Sequence, residues 1–176
     1  MKKIGNCDRI TSLEWGDFMF RELIRKNKQL SEKQCIDVLK TENRGVLSVI
    51  GDNGYPYGMP MNHWYEETDG CIYFHSGNVG HRLEALQKDS RVSFCVYDKG
   101  SREKGQWAWK VRSVIVFGKM EILHDMNLIA EITTKLSAKF TDDDDYVRRE
   151  IEQAGHRTLL LRLTPEHLCG KLVTEA

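Results

Sequence analysis

Residues 45–76 read GVLSVIGDNGYPYGMPMNHWYEETDGCIYFHS, and two turn signals inside them commit the chain to antiparallel pairing. GVLSVI is an apolar run of strand length. Asn53-Gly54 follows it, the strongest short-range hairpin signal, because both residues accept the positive φ of a tight reversal. The return run YGMPMNHWYEE reaches a second turn at ETDG before CIYFHS begins. Three consecutive antiparallel strands in a meander are predicted.

Working outward, LSEKQCIDVLKTEN precedes the first strand and has Ser31 followed three residues later by Gln34. That is a capping box, with Leu30 and Cys35 placed as a hydrophobic staple, and it predicts a helix of about three turns. Downstream, GHRLEALQKD places Leu83 and Leu86 on one helical face, and RVSFCVYD alternates with Val92, Phe94 and Val96 on one side. After the loop KGSREKGQWAWK, the run VRSVIVFGKMEIL is the longest strand candidate, with Gly118 where a barrel strand bends or bulges.

DMNLIAEITTKLSAKF carries Leu128, Ile129, Ile132, Leu136 and Phe140 at helical spacing behind Asp125 as N-cap. The acidic run Asp142 to Asp145 is read as the start of the next helix, DDYVRREIEQAG, where negative charge meets the positive end of the dipole. It is not read as a metal site, since consecutive carboxylates cannot all face one ion. Thr158 to Leu163 forms the last strand, ended by Pro165. Six mostly antiparallel strands, with helices inserted rather than alternating, predict a mainly β (α+β) fold, a small closed or split β-barrel with helices on its rim.

The 176 residues are read as one domain at residues 30–176 behind an arm or short helix at 1–29, where DFMFRELIRKN carries the helical pattern. Lys plus Arg and Asp plus Glu number 26 each, so no overall field draws the chain to nucleic acid or an acidic membrane. Any anion site is local. The five cysteines, Cys7, Cys35, Cys71, Cys95 and Cys169, are scattered, with no C-x-x-C pair. They are read as reduced thiols of a cytoplasmic protein. MKKIGNCDRITSLEW lacks the apolar run of a signal peptide, and no membrane-spanning stretch is expected.

One stretch stands out chemically. YFHSGNVGHRLEAL, Tyr73 to Leu86, joins a strand end to a helix start through two glycines, with Ser76 before the turn and His81 and Arg82 in the first helical turn. Cations at a helix N-terminus oppose the dipole by roughly 0.3–1 kcal/mol unless an anion offsets them. With backbone N–H groups aimed outward, such a turn suits a phosphate. The residues alone also fit an ordinary surface turn, in which Ser76 and Asn78 satisfy the backbone while His81 and Arg82 face solvent.

The chain resembles the FMN-binding split-barrel flavoproteins related to pyridoxamine 5'-phosphate oxidase, and within them the branch that includes the nitroimidazole-resistance proteins. The resemblance rests on GYPYGMPMNHWYE, DGCIYFHSGNVGHRLEALQKDSRVSFCV, VRSVIVFGKMEIL and LRLTPEHLCGK, in the family's order over most of Ser31 to Lys171. It implies a six-stranded antiparallel split barrel that forms a homodimer, with FMN in grooves at the interface. By this resemblance His75 and Ser76 match positions on the FMN phosphate and ribityl chain. His81 and Arg82 fall where the oxidases carry an Arg-Lys pair on the phosphate. Met61 and Asn62 lie on the strand bordering the flavin ring, and Ser113, beside Arg112, is where a polar side chain approaches it.

Two departures follow. A titratable imidazole, His81, replaces one fixed cation, so FMN affinity is expected to fall as pH rises through its pKa. The oxidases' C-terminal Arg-x-His element has no counterpart near AGHRTLLLRLTPEHL, so the resemblance does not extend to vitamin B6 oxidation. The implied activity is an FMN-dependent oxidoreductase passing electrons to a small planar substrate, nitroaromatics included. His63, His75, Trp64, Trp107 and Trp109 are candidates for the substrate side, the tryptophans to stack on a ring and a histidine to donate a proton. The alternative is a module that binds FMN or haem without turnover. No metal site is expected.

Overall fold

The computed structural model describes residues 20–175. β1 (Arg44–Ile50) and β2 (Pro56–Asn62) form the expected hairpin, with Asn53 at φ 56° and Gly54 at φ 76° in the reversal. The expected return strand then breaks at His63. β2 stays on β1, whereas β3 (Trp64–Tyr65) pairs with β4 (Ile72–Gly77), so the sheet has seven strands rather than six and β2 is not laddered to β4.

The break has a physical cause. The His63 side chain is fully buried beneath α1 (Glu32–Thr41), where Nε2–H donates to Leu39 O at 2.8 Å and the ring meets Phe94 edge-on at 4.8 Å. Drawn inward there, the chain leaves one ladder and turns the barrel corner into another. Burial, with Lys139 nearby, pushes the imidazole down to about 4. The fold therefore favours neutral His63, and its contribution is complete above the unfolded pKa of about 6.5 and lost as pH falls toward 4. Unfolding free energy measured by urea titration is expected to drop by about 3 kcal/mol across that window, at 1.36 kcal/mol per pKa unit. A His63→Gln variant should lack that component of the slope. An identical slope in both proteins would show that His63 is not the titrating group.

β5 (Arg91–Tyr97), β6 (Trp109–Leu123) and β7 (Thr158–Glu175) complete an all-antiparallel sheet in the order β2-β1-β5-β6-β7-β4-β3. Its two ends are joined in sequence through His63, and β2 approaches β4 without pairing, which leaves the curled sheet split. Val92, Phe94 and Val96 are buried as expected, and Phe94 packs edge-on against Phe74 at 5.0 Å in the interior. Pro165 does not end the last strand. The β6–β7 register shifts between Phe117 and Gly118, pairing Gly118 with Pro165 and Phe117 with His167. A proline has no N–H for the ladder, and at this bulge none is required.

The capping box holds α1, with Gln34 N donating to Ser31 Oγ and Ser31 N to Gln34 Oε1. Asp125 caps α3 (Met126–Ser137), and Asp143 caps α4 (Asp144–Ala154), whose first turn carries Asp144 and Asp145. α3 buries Ile129 and Ile132 against Cys71, Tyr73 and Leu160 on the face of β4 and β7 away from the barrel interior. It is pinned by Glu66. Burial alone would raise that carboxyl, but hydrogen bonds from Lys135, Trp64 and Thr68 bring it to about 2.

Of the arm expected at 1–29, residues 1–19 lie outside the described residues, and so does Cys7. In the remainder, the helical pattern gives one 3₁₀ turn, Lys26–Lys28, and Phe20 stacks on His167 at 4.9 Å. No helix among the described residues is long and apolar enough to cross a membrane.

Candidate functional site

The Arg82 side chain bridges the split between β2 and β4. α2 (His81–Lys88) starts behind Gly80, whose φ of 125° is a conformation that favours glycine, and no side chain caps the helix. Arg82, in the first turn, reaches across the split. Its Nη1 donates to Met61 Sδ on β2 at 2.8 Å, and its Nη2 donates to Ser76 Oγ on β4 at 2.7 Å. Ser76 is 4% exposed and donates its own hydroxyl to Gly77 O. Arg82 Nε is buried without a partner.

The electrostatics are uneven. Two other partly buried arginines have carboxylates: Arg112 pairs with Asp98 and Asp37, Arg162 with Glu121, and both are pushed above the usual guanidinium value. Arg82 forms no ion pair among the described residues, and burial lowers it. Arg162 Nε is orphaned as well, so what marks Arg82 as lacking an anion is the want of any carboxylate partner among the described residues, beside an uncapped helix start. The residues present fit a phosphate.

His81 stands at the rim. Its ring stacks on Tyr57 at 4.5 Å and its Nε2 lies 3.3 Å from Asp52, which also faces Lys88. Tyr57 and Asp52 were not among the expected site residues. No spacing links a hairpin turn to a helix some 25 residues later, and only the curling of the sheet brings them together.

The other expected residues divide into groups. His75 and Ser76 are neighbours on β4, so their side chains leave by opposite faces. Ser76 joins Arg82, while His75 lines a cavity under α3 and α4 and does not share Ser76's contact. The period of two in a strand was the signal for this. His63 is a buried structural residue, not a wall of the site. Trp64 donates its indole N–H to Glu66 at 3.1 Å and packs beside α3. Trp107, 79% exposed, and Trp109, beneath the Arg102 guanidinium at 5.3 Å, stand at the entry to β6 and are not contacts of the Arg82 cluster. Arg112 is committed to its two carboxylates, tying α1 to the β5–β6 loop.

Asn62 and Ser113 lie on the outer face of the sheet, set there by cross-strand pairing of Asn62 with Arg44 and of Ser113 with Tyr97 and Lys171. This face carries a registered row, Pro60, Val46, Cys95, Ile115 and Cys169, running across five strands. Val46, Ile115 and Tyr97 on it are exposed. Beside Pro60 a hollow of about 760 Å³ opens between Arg44, Val46 and Tyr97.

The chain matches the family model described as pyridoxamine 5'-phosphate oxidase over residues 31–172. Among solved structures it is similar to a candidate 5-nitroimidazole antibiotic resistance protein from Bacteroides thetaiotaomicron, at 20% identity and TM-score 0.66, covering 82% of this chain and 86% of that one. An FAD-binding protein from Mesorhizobium loti aligns at 24% identity and TM-score 0.58, over 83% and 97% of the two chains. An FAD and haem binding protein from Mycobacterium smegmatis aligns at 20% identity and TM-score 0.63, over 82% and 73%. Such identities speak for the fold alone. No curated protein matches the chain. With the family model covering most of its length, and the curled antiparallel sheet agreeing with the structural neighbours, this chain belongs to the pyridoxamine 5'-phosphate oxidase family.

Proposed function

We propose that this protein binds FMN and acts as an oxidoreductase on a small planar acceptor, as a homodimer with FMN at the interface. The observation that carries the reading is Arg82, a partly buried guanidinium with no carboxylate partner among the described residues, set between Ser76 and an uncapped helix start. Ser76, Arg82, His81 and the first N–H groups of α2 would hold the terminal phosphate. The flavin itself supplies the electron transfer, while the chain supplies position and electrostatics.

Met61 and Asn62 would border the ring, with the hollow beside Pro60 to receive it and Asn62 and Ser113 presenting polar groups on the outer face. The partly exposed apolar row on that face suits burial against a second copy. Relatives in fold named as FAD-binding support a flavin as the ligand class. FMN is preferred because one compact anion-binding cluster suits one phosphate. A nitroaromatic acceptor is the first to try, given the resistance function in the name of the Bacteroides protein.

The purified protein is expected to show bands near ~375 and ~450 nm, as flavins do. Titration by fluorescence should rank FMN above riboflavin by about 1,000-fold, since riboflavin lacks every charge-assisted phosphate contact, each worth roughly 1.5–3 kcal/mol. Photoreduced protein should be reoxidised anaerobically by a nitroimidazole, and sedimentation at micromolar concentration should give a dimer. FAD binding more tightly than FMN would keep the flavin and overturn the FMN assignment. A Soret band near ~400 nm without flavin bands would favour haem instead.

A further inference from the structure

A second cavity, of about 240 Å³, lies on the opposite side of β4 from Ser76 and Arg82. His75 forms one wall, and the connection between β6 and β7 forms the others: Thr133 on α3, Glu150 and Ala154 on α4, with Ile129 and Ile151 as apolar floor. Nothing in the flavin reading uses it.

Thr158 Oγ1 in its lining donates to Ala154 O at 3.0 Å, but other polar groups of the cavity are unspent. A threonine in a helix usually turns its hydroxyl back to the carbonyl four residues earlier, as Thr134 does to Ala130 O at 2.8 Å and Thr41 to Asp37 O at 2.9 Å. Thr133 does not, and its Oγ1 is buried without a partner. An orphaned buried hydroxyl costs roughly 1–3 kcal/mol, a cost that a hydrogen-bonding occupant would remove. His75 makes no hydrogen bond among the described residues. Glu150 is exposed at the rim and forms no ion pair among them.

The charge of the lining selects the ligand. Partial desolvation by the residues around it, with Arg82 across the strand, lowers the His75 imidazole and so favours its neutral form. Glu150 then supplies the one formal charge among the described lining residues, and it is negative. An anion is disfavoured. The volume exceeds the roughly 150 Å³ that accepts benzene, which leaves space for one ring and a short polar arm.

We propose that this cavity binds a small aryl- or alkylamine, with its apolar body between α3 and α4, its ammonium group at Glu150, and Thr133 and His75 closing on its polar end. The site is separate from the flavin site and does not depend on that reading.

The test is calorimetric titration of the protein as purified with benzylamine, benzyl alcohol and benzoate, following flavin fluorescence in parallel. Benzylamine should bind with a Kd near the millimolar range, about tenfold tighter than benzoate. Glu150→Gln should abolish the preference for the amine over the alcohol. Ala154→Leu, which fills the cavity, should weaken both by about tenfold or more. Thermal melts of each variant verify folding. Saturation by none of the three compounds up to about 10 mM, or equal affinity in a folded Ala154→Leu protein, would overturn the proposal. Release of bound flavin on adding benzylamine, read as a rise in flavin fluorescence, would also do so, because it would put the amine at the flavin's own site.

Discussion

With His81 and Arg82 both replaced by alanine, the protein is expected to bind FMN about 300-fold more weakly while unfolding close to the wild-type temperature. Most of the loss is assigned to Arg82, which is half enclosed and has no carboxylate competing for it among the described residues. His81 should contribute less, because it is solvent-facing and already shared between Tyr57 and Asp52. Charge-assisted phosphate contacts of about 1.5–3 kcal/mol, discounted for exposure at His81, give about 3.4 kcal/mol for the pair, or 300-fold. Stability should change little. Losing the bridge to Ser76 and Met61 is offset by removing an uncompensated, partly buried charge. Fluorescence titration with FMN and riboflavin measures the effect, and riboflavin affinity should move by no more than about threefold, since it has no phosphate. An FMN affinity within threefold of wild type, in a folded protein, would remove this cluster from the site.

Gly118→Ala should cost about 4 kcal/mol or more, a fall of roughly 8–16 °C in melting temperature for a chain of this size, or leave the protein insoluble. A Cβ there would stand 2.1 Å from Thr164 O and 2.9 Å from Leu163 Cδ1. The oxygen is backbone, inside the long β6–β7 ladder at its register shift, so it cannot move aside without parting the strands. Gly77→Ala provides the control: a Cβ there meets nothing within 4 Å, and the melting temperature should be nearly unchanged. Equal melting temperatures for the two variants would mean that the close approach of β7 to Gly118 is not maintained in solution.

His63, Pro165 and His75 mark the points at which local reading and structure part. Alternation in YGMPMNHWYEE gives no sign of a break, since His63 has ordinary strand neighbours. The break is imposed by α1, whose Leu39 carbonyl takes the imidazole N–H. Pro165 is a stop signal taken alone, yet the Gly118 bulge on the facing strand removes the need for its N–H, and the strand runs on to Glu175. His75 and Ser76 share one turn in sequence but not one face in space, so only Ser76 reaches Arg82.

What the sequence by itself determined is local: the Ser31–Gln34 capping box, the Asn53-Gly54 reversal, the buried face of Val92, Phe94 and Val96, the Asp125 cap, and the Gly118 irregularity. Each is decided by groups within a few residues, through a hydrogen bond, a permitted φ or a strand's period of two. Only the tertiary structure decided the strand order, the pairing of Arg82 with Met61 across the split, the stacking of Tyr57 on His81, and the cavity beneath α3 and α4. Those depend on which surfaces desolvate one another, and in a sheet the ladder brings distant segments within 5 Å of each other without leaving any trace in their spacing.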